Sequence, residues 1–313
     1  MEYYNTGEGI GLKNTAIALG KFDGLHKGHQ ILFSELRRYK ETGLTTVVFT
    51  FDFHPMFLLS GKKQQLIYTR EERKRIIEDL GADVMIEYPF TIETSKVEAE
   101  DFIRDMLVKE LGAKAIVVGD DFRFGHNRGG DVALLKKFEP VYGFTVDSCR
   151  KLCYGEREIS ASFVRDLIKE GDMATAEELL GRPYSISGEI IHGKGNGSSR
   201  LSMPTANIIP DTDKLLTPDG VYVSHVSFGD SVYRSVTNIG HNPTVGENND
   251  LRVETHLMDY SGDLYGKKME VFLHSRLRGE KRFESFDDLK AQMKSDLTAA
   301  AAYFRQPEKR KKN

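Results

Sequence analysis

Gly20-Lys-Phe-Asp-Gly-Leu-His-Lys-Gly-His29 follows the apolar run Ala16–Leu19 and leads into an amphipathic segment. A strand that passes through a glycine-bounded turn straight into a helix is the opening unit of an α/β domain. Gly24 and Gly28 let the backbone turn tightly, and the helix start offers an anion free amide donors and the positive end of the helix dipole. His26 and His29 face the same space, where imidazoles can hydrogen-bond triphosphate oxygens and stabilise charge growing on phosphorus and on departing pyrophosphate. Two histidines at this spacing also suit a metal, although no third ligand lies close in sequence. A helix cap with incidental histidines is a further reading. Gly7-Glu-Gly-Ile-Gly11 precedes the strand and lacks a Gly-Lys-Ser/Thr ending, so it reads as a flexible lead-in.

Outward from this turn, strand-like runs at Thr45–Phe51, Asp83–Glu87, Ala115–Gly119 and Phe144–Asp147 alternate with amphipathic segments. That alternation predicts a doubly wound, Rossmann-like domain with its ligands at the carboxyl ends of the strands. Thr69–Glu72 and Ser95–Glu98 have the form of capping boxes, and Asp131 is placed to cap the next helix. After Gly181-Arg182-Pro183 the pattern turns to period-two strands: Tyr184–His192, Val221–Phe228, Val232–Ile239, Arg252–Asp259 and Lys268–Leu273. These predict a small antiparallel β-barrel, followed by one helix over Ser285–Phe304. The expected domains are 1–182 and 183–313.

Two more segments fall at strand ends of the first domain. Val118–Gly130 places Asp121, Phe122, Phe124 and Arg128 in a glycine-bounded loop suited to a stacked ring together with a phosphate; local packing of the aromatics is the other reading. Ile159–Arg165 opens a helix with hydroxyls at Ser160 and Ser162 and Arg165 one turn in, a set able to hold terminal phosphates, although ordinary capping also explains Ser160. In the second half, Gly193 and Gly197 lie in a glycine-rich loop that permits close approach of backbone amides to phosphate. Thr205 and Asn207 follow with two neutral oxygens suited to Mg²⁺. A hairpin turn of no chemical consequence fits that loop equally well.

At 313 residues the chain is long enough for two ordinary cores, and 39% hydrophobic with 29% charged residues is a globular composition. A formal charge of −3 gives no global attraction for nucleic acid or anionic membrane, so any anion site must be local. Cys149 and Cys153 read as reduced thiols, with metal ligation a minor alternative, and Lys309–Lys312 reads as a solvated terminus. The polar start and the lack of a long apolar run predict a cytoplasmic protein, with weak homo-oligomerisation allowed.

Taken together, these segments resemble the bacterial bifunctional riboflavin kinase and FAD synthetase, from about Thr15 to Phe304. The resemblance makes Gly20–His29 the family's His-x-Gly-His motif, Asp121–Gly130 its Asp-Phe-x-Phe-Gly loop, Ser160–Arg165 its Ser-Ser-Thr-x-Ile-Arg motif and Met203–Asn207 its Pro-Thr-Ala-Asn. Thr50–Pro55, Asn238–Thr244 and Leu264–Gly266 also look like family landmarks. It implies riboflavin and ATP giving FMN in the barrel, then FMN and ATP giving FAD in the first domain, with Mg²⁺. His26 and His29 would be catalytic, with ATP held along Gly20, Phe22, Asp23, Gly24, Ser160, Ser162, Arg165, Gly193 and Gly197. Flavin would meet Asp121, Phe122, Phe124, Arg128 and Arg278; Thr205 and Asn207 would bind the metal, and Glu254 would act as kinase base. Gly197–Pro204 departs from the family's loop, with Ser202 and Met203 in place of Gly and Phe. A synthetase with a catalytically silent barrel and a flavin- or nucleotide-responsive binding protein are alternatives, and a nucleotidyltransferase for another acceptor would share His-x-Gly-His but leave the Pro-Thr-Ala-Asn barrel unexplained.

Overall fold

The computed structural model describes the chain apart from residues 8, 53–64, 192–204, 230, 242–250, 261, 263–265 and 306–313. Two compact units divide it, Met1–Ala161 and Ser162–Asn313, so that contacts group the helices Ala161–Glu170 and Met173–Leu180 with the barrel.

The first unit is a six-stranded sheet: β1 (Glu2–Tyr4), β2 (Thr15–Leu19), β3 (Thr45–Phe51), β4 (Val84–Tyr88), β5 (Ala113–Gly119) and β6 (Thr145–Cys149). Its order is β1-β4-β3-β2-β5-β6, all parallel. Every residue of β2 is buried, which is why this strand reads as an unbroken apolar run instead of an alternation. Ile17, Leu19, Val47, Phe49, Ile86, Ile116 and Val118 build the core with Ile103 and Leu107. The chain moves one way from β2 through β3 to β4 and the other way from β5 to β6, so the order reverses between β2 and β5. Ligands of such sheets bind at this switch point.

Helix α1 (Lys27–Glu41) leaves the β2 turn and packs on β2, β3 and β5. Helix α2 (Arg70–Asp79) begins with the predicted Thr69–Glu72 capping box. The second predicted box is absent. Ser95 Oγ instead donates to the Ile92 carbonyl, and Val97 and Glu98 are extended because His126 of a later loop binds both. Helix α3 therefore starts at Ala99 and continues over Phe102–Glu110 with wide turns, in which Leu111 N donates to the Met106 carbonyl. Asp131 caps α4 (Val132–Tyr142) as expected, accepting from Leu134 N at 2.9 Å, a bond that contributes about 1 kcal/mol.

The lead-in expected to be flexible is pinned. The amides of Ile10 and Gly11 both donate to Glu110, and a side chain on Gly7 would collide with Tyr88. The edge strand β1 was not legible in the sequence. Its Tyr3 hydroxyl, with Arg70 and Arg73, converges on the fully buried Glu87 carboxylate at the end of β4.

In the second unit α5 (Ala161–Glu170) and α6 (Met173–Leu180) lead into a closed antiparallel barrel. Its strands are β7 (Tyr184–Ile191), β8 (Thr205–Ile208), β9 (Gly220–Phe228), β10 (Ser231–His241), β11 (Leu251–Leu257) and β12 (Lys268–Arg278), in the order β7-β8-β11-β10-β9-β12. Pairing of β7 with β12 closes the ring. The short β8 is the strand that the period-two pattern did not reveal. Helix α7 (Phe286–Arg305) follows, its first turn capped by Ser285 Oγ accepting from Asp288 N.

Candidate active site

The Gly20–His29 turn sits at the carboxyl end of β2, on the switch point. Gly20 N donates to the Phe49 carbonyl and Thr50 Oγ1 to the Lys21 carbonyl, fixing the turn to the end of β3. Gly24 has φ +79°, and Phe22 and Leu25 are forced to φ +48° and +44°. Left-handed backbone at two non-glycine residues costs on the order of 1–3 kcal/mol each, and such strain collects at functional sites. It buries Phe22 completely, and the ring lies edge-on to His29 at 5.4 Å. The buried Phe22 ring therefore supports His29, and what Phe22 can offer a nucleotide in this turn is its backbone.

His26 and His29 come together as expected: their rings stack at 3.8 Å, and both Nδ1 atoms are buried without a hydrogen-bond partner. Gly28 gives the stack room, since a Cβ would lie 3.1 Å from His26 Nδ1 and press on the ring. Burial lowers the His26 pKa to about 4, against a smaller opposing pull from Asp23. Burial, then His26, hold His29 well below the ordinary value. Both rings are thus neutral near pH 7, with buried polar nitrogens open to a hydrogen-bonding ligand.

Lowered imidazole pKa values make the fold acid-sensitive. The unfolded chain takes up these protons near pH 6.5 while the folded chain resists until about pH 4, so stability falls as pH drops through that window. In the barrel His225, lowered to about 4 by burial and by neighbouring His274, acts in the same direction. The melting temperature is expected to fall steeply from pH 6.5 to 4 and to level off above pH 7; a flat profile across that window would contradict the burial of these rings.

Around the turn, the Val118–Gly130 loop rises from β5. Phe122 and Phe124 stack at 5.6 Å, and Phe124 is buried against Phe102 among the core residues. Phe122 is half-buried, and Asp121 and Arg128 are exposed. Asp121 pairs with Lys151 at 2.9 Å, and Lys151 also reaches Glu158 at 2.8 Å, a link that no motif announces. Ser160 precedes α5. Ser162 and Arg165 lie in its first turns within the second unit, with Arg165 buried.

On the barrel, register places Asn207 directly opposite Glu254, and Glu254 directly opposite Asn238. Directly paired residues share a face, so Thr205, Asn207, Glu254 and Asn238 lie together on the face turned away from the interior. The interior instead holds Ser224, Ser235, Thr237 and Thr255, joined by hydroxyl bonds of 2.7–2.9 Å. Asn207 Oδ1 is buried and has no hydrogen-bond partner. An orphan amide oxygen beside a threonine fits a hard cation that keeps most of its ligands from water and phosphate. Burial and Glu280 raise the Glu254 pKa, while Arg252 opposes them. Arg278 is held by Asp296 of α7, with contacts of 2.8–3.2 Å. Gly193 and Gly197 lie outside the described residues, as do parts of Thr50–Pro55, Met203–Asn207, Asn238–Thr244 and Leu264–Gly266. Sequence reasoning missed Asp296 and Glu280, which are visible only once the fold brings them beside Arg278 and Glu254.

The sheet order and the imidazole pair at its switch point define the class, a nucleotide-transferring α/β enzyme joined to a barrel. A family model described as FAD synthetase matches residues 11–163, and one described as riboflavin kinase matches residues 180–304. The bifunctional riboflavin kinase/FMN adenylyltransferase of Escherichia coli K12 is 37% identical over 92% of each chain. The Haemophilus influenzae relative is 35% identical over 94% of this chain and 95% of its own. A solved Streptococcus pneumoniae structure, described as a macrolide-efflux protein, has a TM-score of 0.85 at 28% identity, covering 96% of this chain and 98% of that one. Among the described residues here, no helix is long and apolar enough to cross a membrane. The chain belongs to the bifunctional riboflavin kinase/FMN adenylyltransferase family, whose enzymes make FMN and FAD.

Proposed function

We propose that the Gly20–His29 turn carries out adenylyl transfer to FMN and that the outer barrel face around Glu254 phosphorylates riboflavin. The observation that carries the first assignment is the pair of buried imidazole nitrogens left without partners at the switch point. An oxygen of the FMN phosphate attacks the α-phosphorus of ATP; the new P–O bond forms as the bond to pyrophosphate breaks. Phosphate is already a nucleophile, so the chain's task is alignment and charge stabilisation. His26 and His29 hydrogen-bond the transferring and leaving oxygens, Gly20, Asp23 and Gly24 shape the turn, and Ser160, Ser162 and Arg165 hold the terminal phosphates. Asp121, Phe122 and Arg128 receive FMN, with Phe124 as their floor.

In the barrel, Glu254 accepts the proton of the riboflavin 5′-hydroxyl as that oxygen attacks the γ-phosphorus of ATP, releasing ADP. Its partly buried carboxylate has the raised proton affinity that a base requires. Thr205 and Asn207 hold Mg²⁺, which when bound neutralises phosphate charge. Arg278, fixed by Asp296, serves the flavin. The functional halves are 1–182 and 183–313, working on free flavins and ATP in the cytoplasm with no more than weak self-association.

The test is to incubate the purified chain with Mg-ATP and either riboflavin or FMN and to separate the flavins over time. FAD from both substrates, with transient FMN from riboflavin, is the expected result. FAD from FMN alone would assign the barrel to a silent kinase, and no flavin conversion at all would leave a binding protein.

A further inference from the structure

Two cations follow the strands on either side of the switch point: Lys21 directly precedes the strained Phe22, and Arg128 is itself left-handed. Lys21 follows β2. Its neighbours Leu19 and Phe22 are buried, its carbonyl is held by Thr50, and its own side chain is exposed. Arg128 comes from the loop after β5, the strand paired with β2, where Gly125, Asn127 and Arg128 all have positive φ (+71°, +52° and +58°). That loop cannot relax easily. A side chain on Gly125 would meet Ala99 at 2.7 Å, and His126 is tied by Nδ1 to Glu98 and by its amide to Val97.

Crowding around the Lys21 ammonium and then the Arg128 charge lower its pKa, with Asp23 opposing. Both residues follow the carboxyl ends of the paired parallel strands β2 and β5, at the same edge of the sheet. Among the described residues neither is ion-paired with a carboxylate. Like charges brought to one edge of a sheet are stabilised when an anion enters between them.

We propose that Lys21 and Arg128 form a two-cation clamp across the β2/β5 crevice that grips phosphate oxygens of the adenylyl-transfer reactants. It rests on the reading of this crevice as the adenylylation site and adds to it a cation that no motif assigns. The shared chemistry is a phosphate oxyanion, supplied either by the 5′-phosphate of FMN or by the polyphosphate of ATP. Removing one charge-assisted hydrogen bond from such a clamp corresponds to about a ten- to hundredfold effect.

The test compares Lys21→Met, Lys21→Arg and Arg128→Met in the full chain, measuring KM for FMN and for ATP separately, with riboflavin phosphorylation as a reference. Lys21→Met is expected to raise one KM about tenfold or more and to flatten the salt dependence of kcat/KM, while Lys21→Arg restores most of both. A rise confined to FMN places the acceptor phosphate in the clamp, and one confined to ATP places the polyphosphate there. Unchanged KM values in Lys21→Met overturn the clamp while leaving the adenylylation site intact. A silent Arg128→Met also overturns the clamp, and with it the assignment of Arg128 to the substrate. Loss of FAD formation in Lys21→Met without a KM change or Arg rescue would assign Lys21 to folding and overturn it too.

Discussion

Replacing His29 by alanine is expected to lower FMN adenylylation by about a hundred- to thousandfold, the usual effect of removing one preorganised charge stabiliser. The side chain stacks on His26 at 3.8 Å and stands on the buried Phe22 ring, so its orientation is set before substrate arrives. Its lowered pKa makes it a neutral donor near pH 7, not a pre-existing cation. Its contribution therefore grows as charge develops on the oxygens it meets, which raises kcat more than it lowers KM. FAD formation from supplied FMN is the measurement, and riboflavin phosphorylation by the same preparation is expected to persist. Near-normal FAD formation would remove His29 from the reaction. Because the variant opens space beside Phe22, a melting curve accompanies the assay, and His29→Asn, which keeps a hydrogen-bonding group, is expected to fall between wild type and alanine.

Glu254→Gln is expected to lower riboflavin phosphorylation by about a hundred- to ten-thousandfold, the range for loss of a general base, while FMN is still converted to FAD. The substitution keeps shape and removes only the ability to take a proton, so packing against Asn207 and Asn238 across β11 is preserved. Asn207→Ala supplies the complementary result: a higher Mg²⁺ requirement, because an orphan buried oxygen has been removed. Retained kinase activity in Glu254→Gln would place the base elsewhere. A loss in Asn207→Ala that excess Mg²⁺ does not relieve would assign Asn207 to shape and not to the metal.

The parts of this protein legible in the sequence are those set by local chemistry. The turn at Gly20–His29 announces its glycines, histidines and helix start, and Thr69 and Asp131 announce their caps. What escaped depends on distant partners. Ser95 fails as a cap because His126, far along the chain, holds the backbone of Val97. Phe124 and Phe122 look alike in a loop, and only the fold sends one into the core. The pinned lead-in depends on Glu110, and β1 depends on a buried Glu87 that gathers Tyr3, Arg70 and Arg73. Glu254 carries no local signal, since a carboxylate on a strand is ordinary. Its significance comes from register, which sets it between two asparagines.

The two sheets also end differently, and this governs how each half comes apart. The first is an open ribbon whose outermost strand is the three-residue β1, so it can shed that strand and lose structure piecemeal from one side. The barrel is a hoop with no outermost strand to peel, its interior hydroxyls linking the neighbouring strands β9, β10 and β11, and removing any strand breaks two pairings at once. Under limited proteolysis, FMN adenylylation is accordingly expected to decline before riboflavin phosphorylation does, so that FMN accumulates at the expense of FAD.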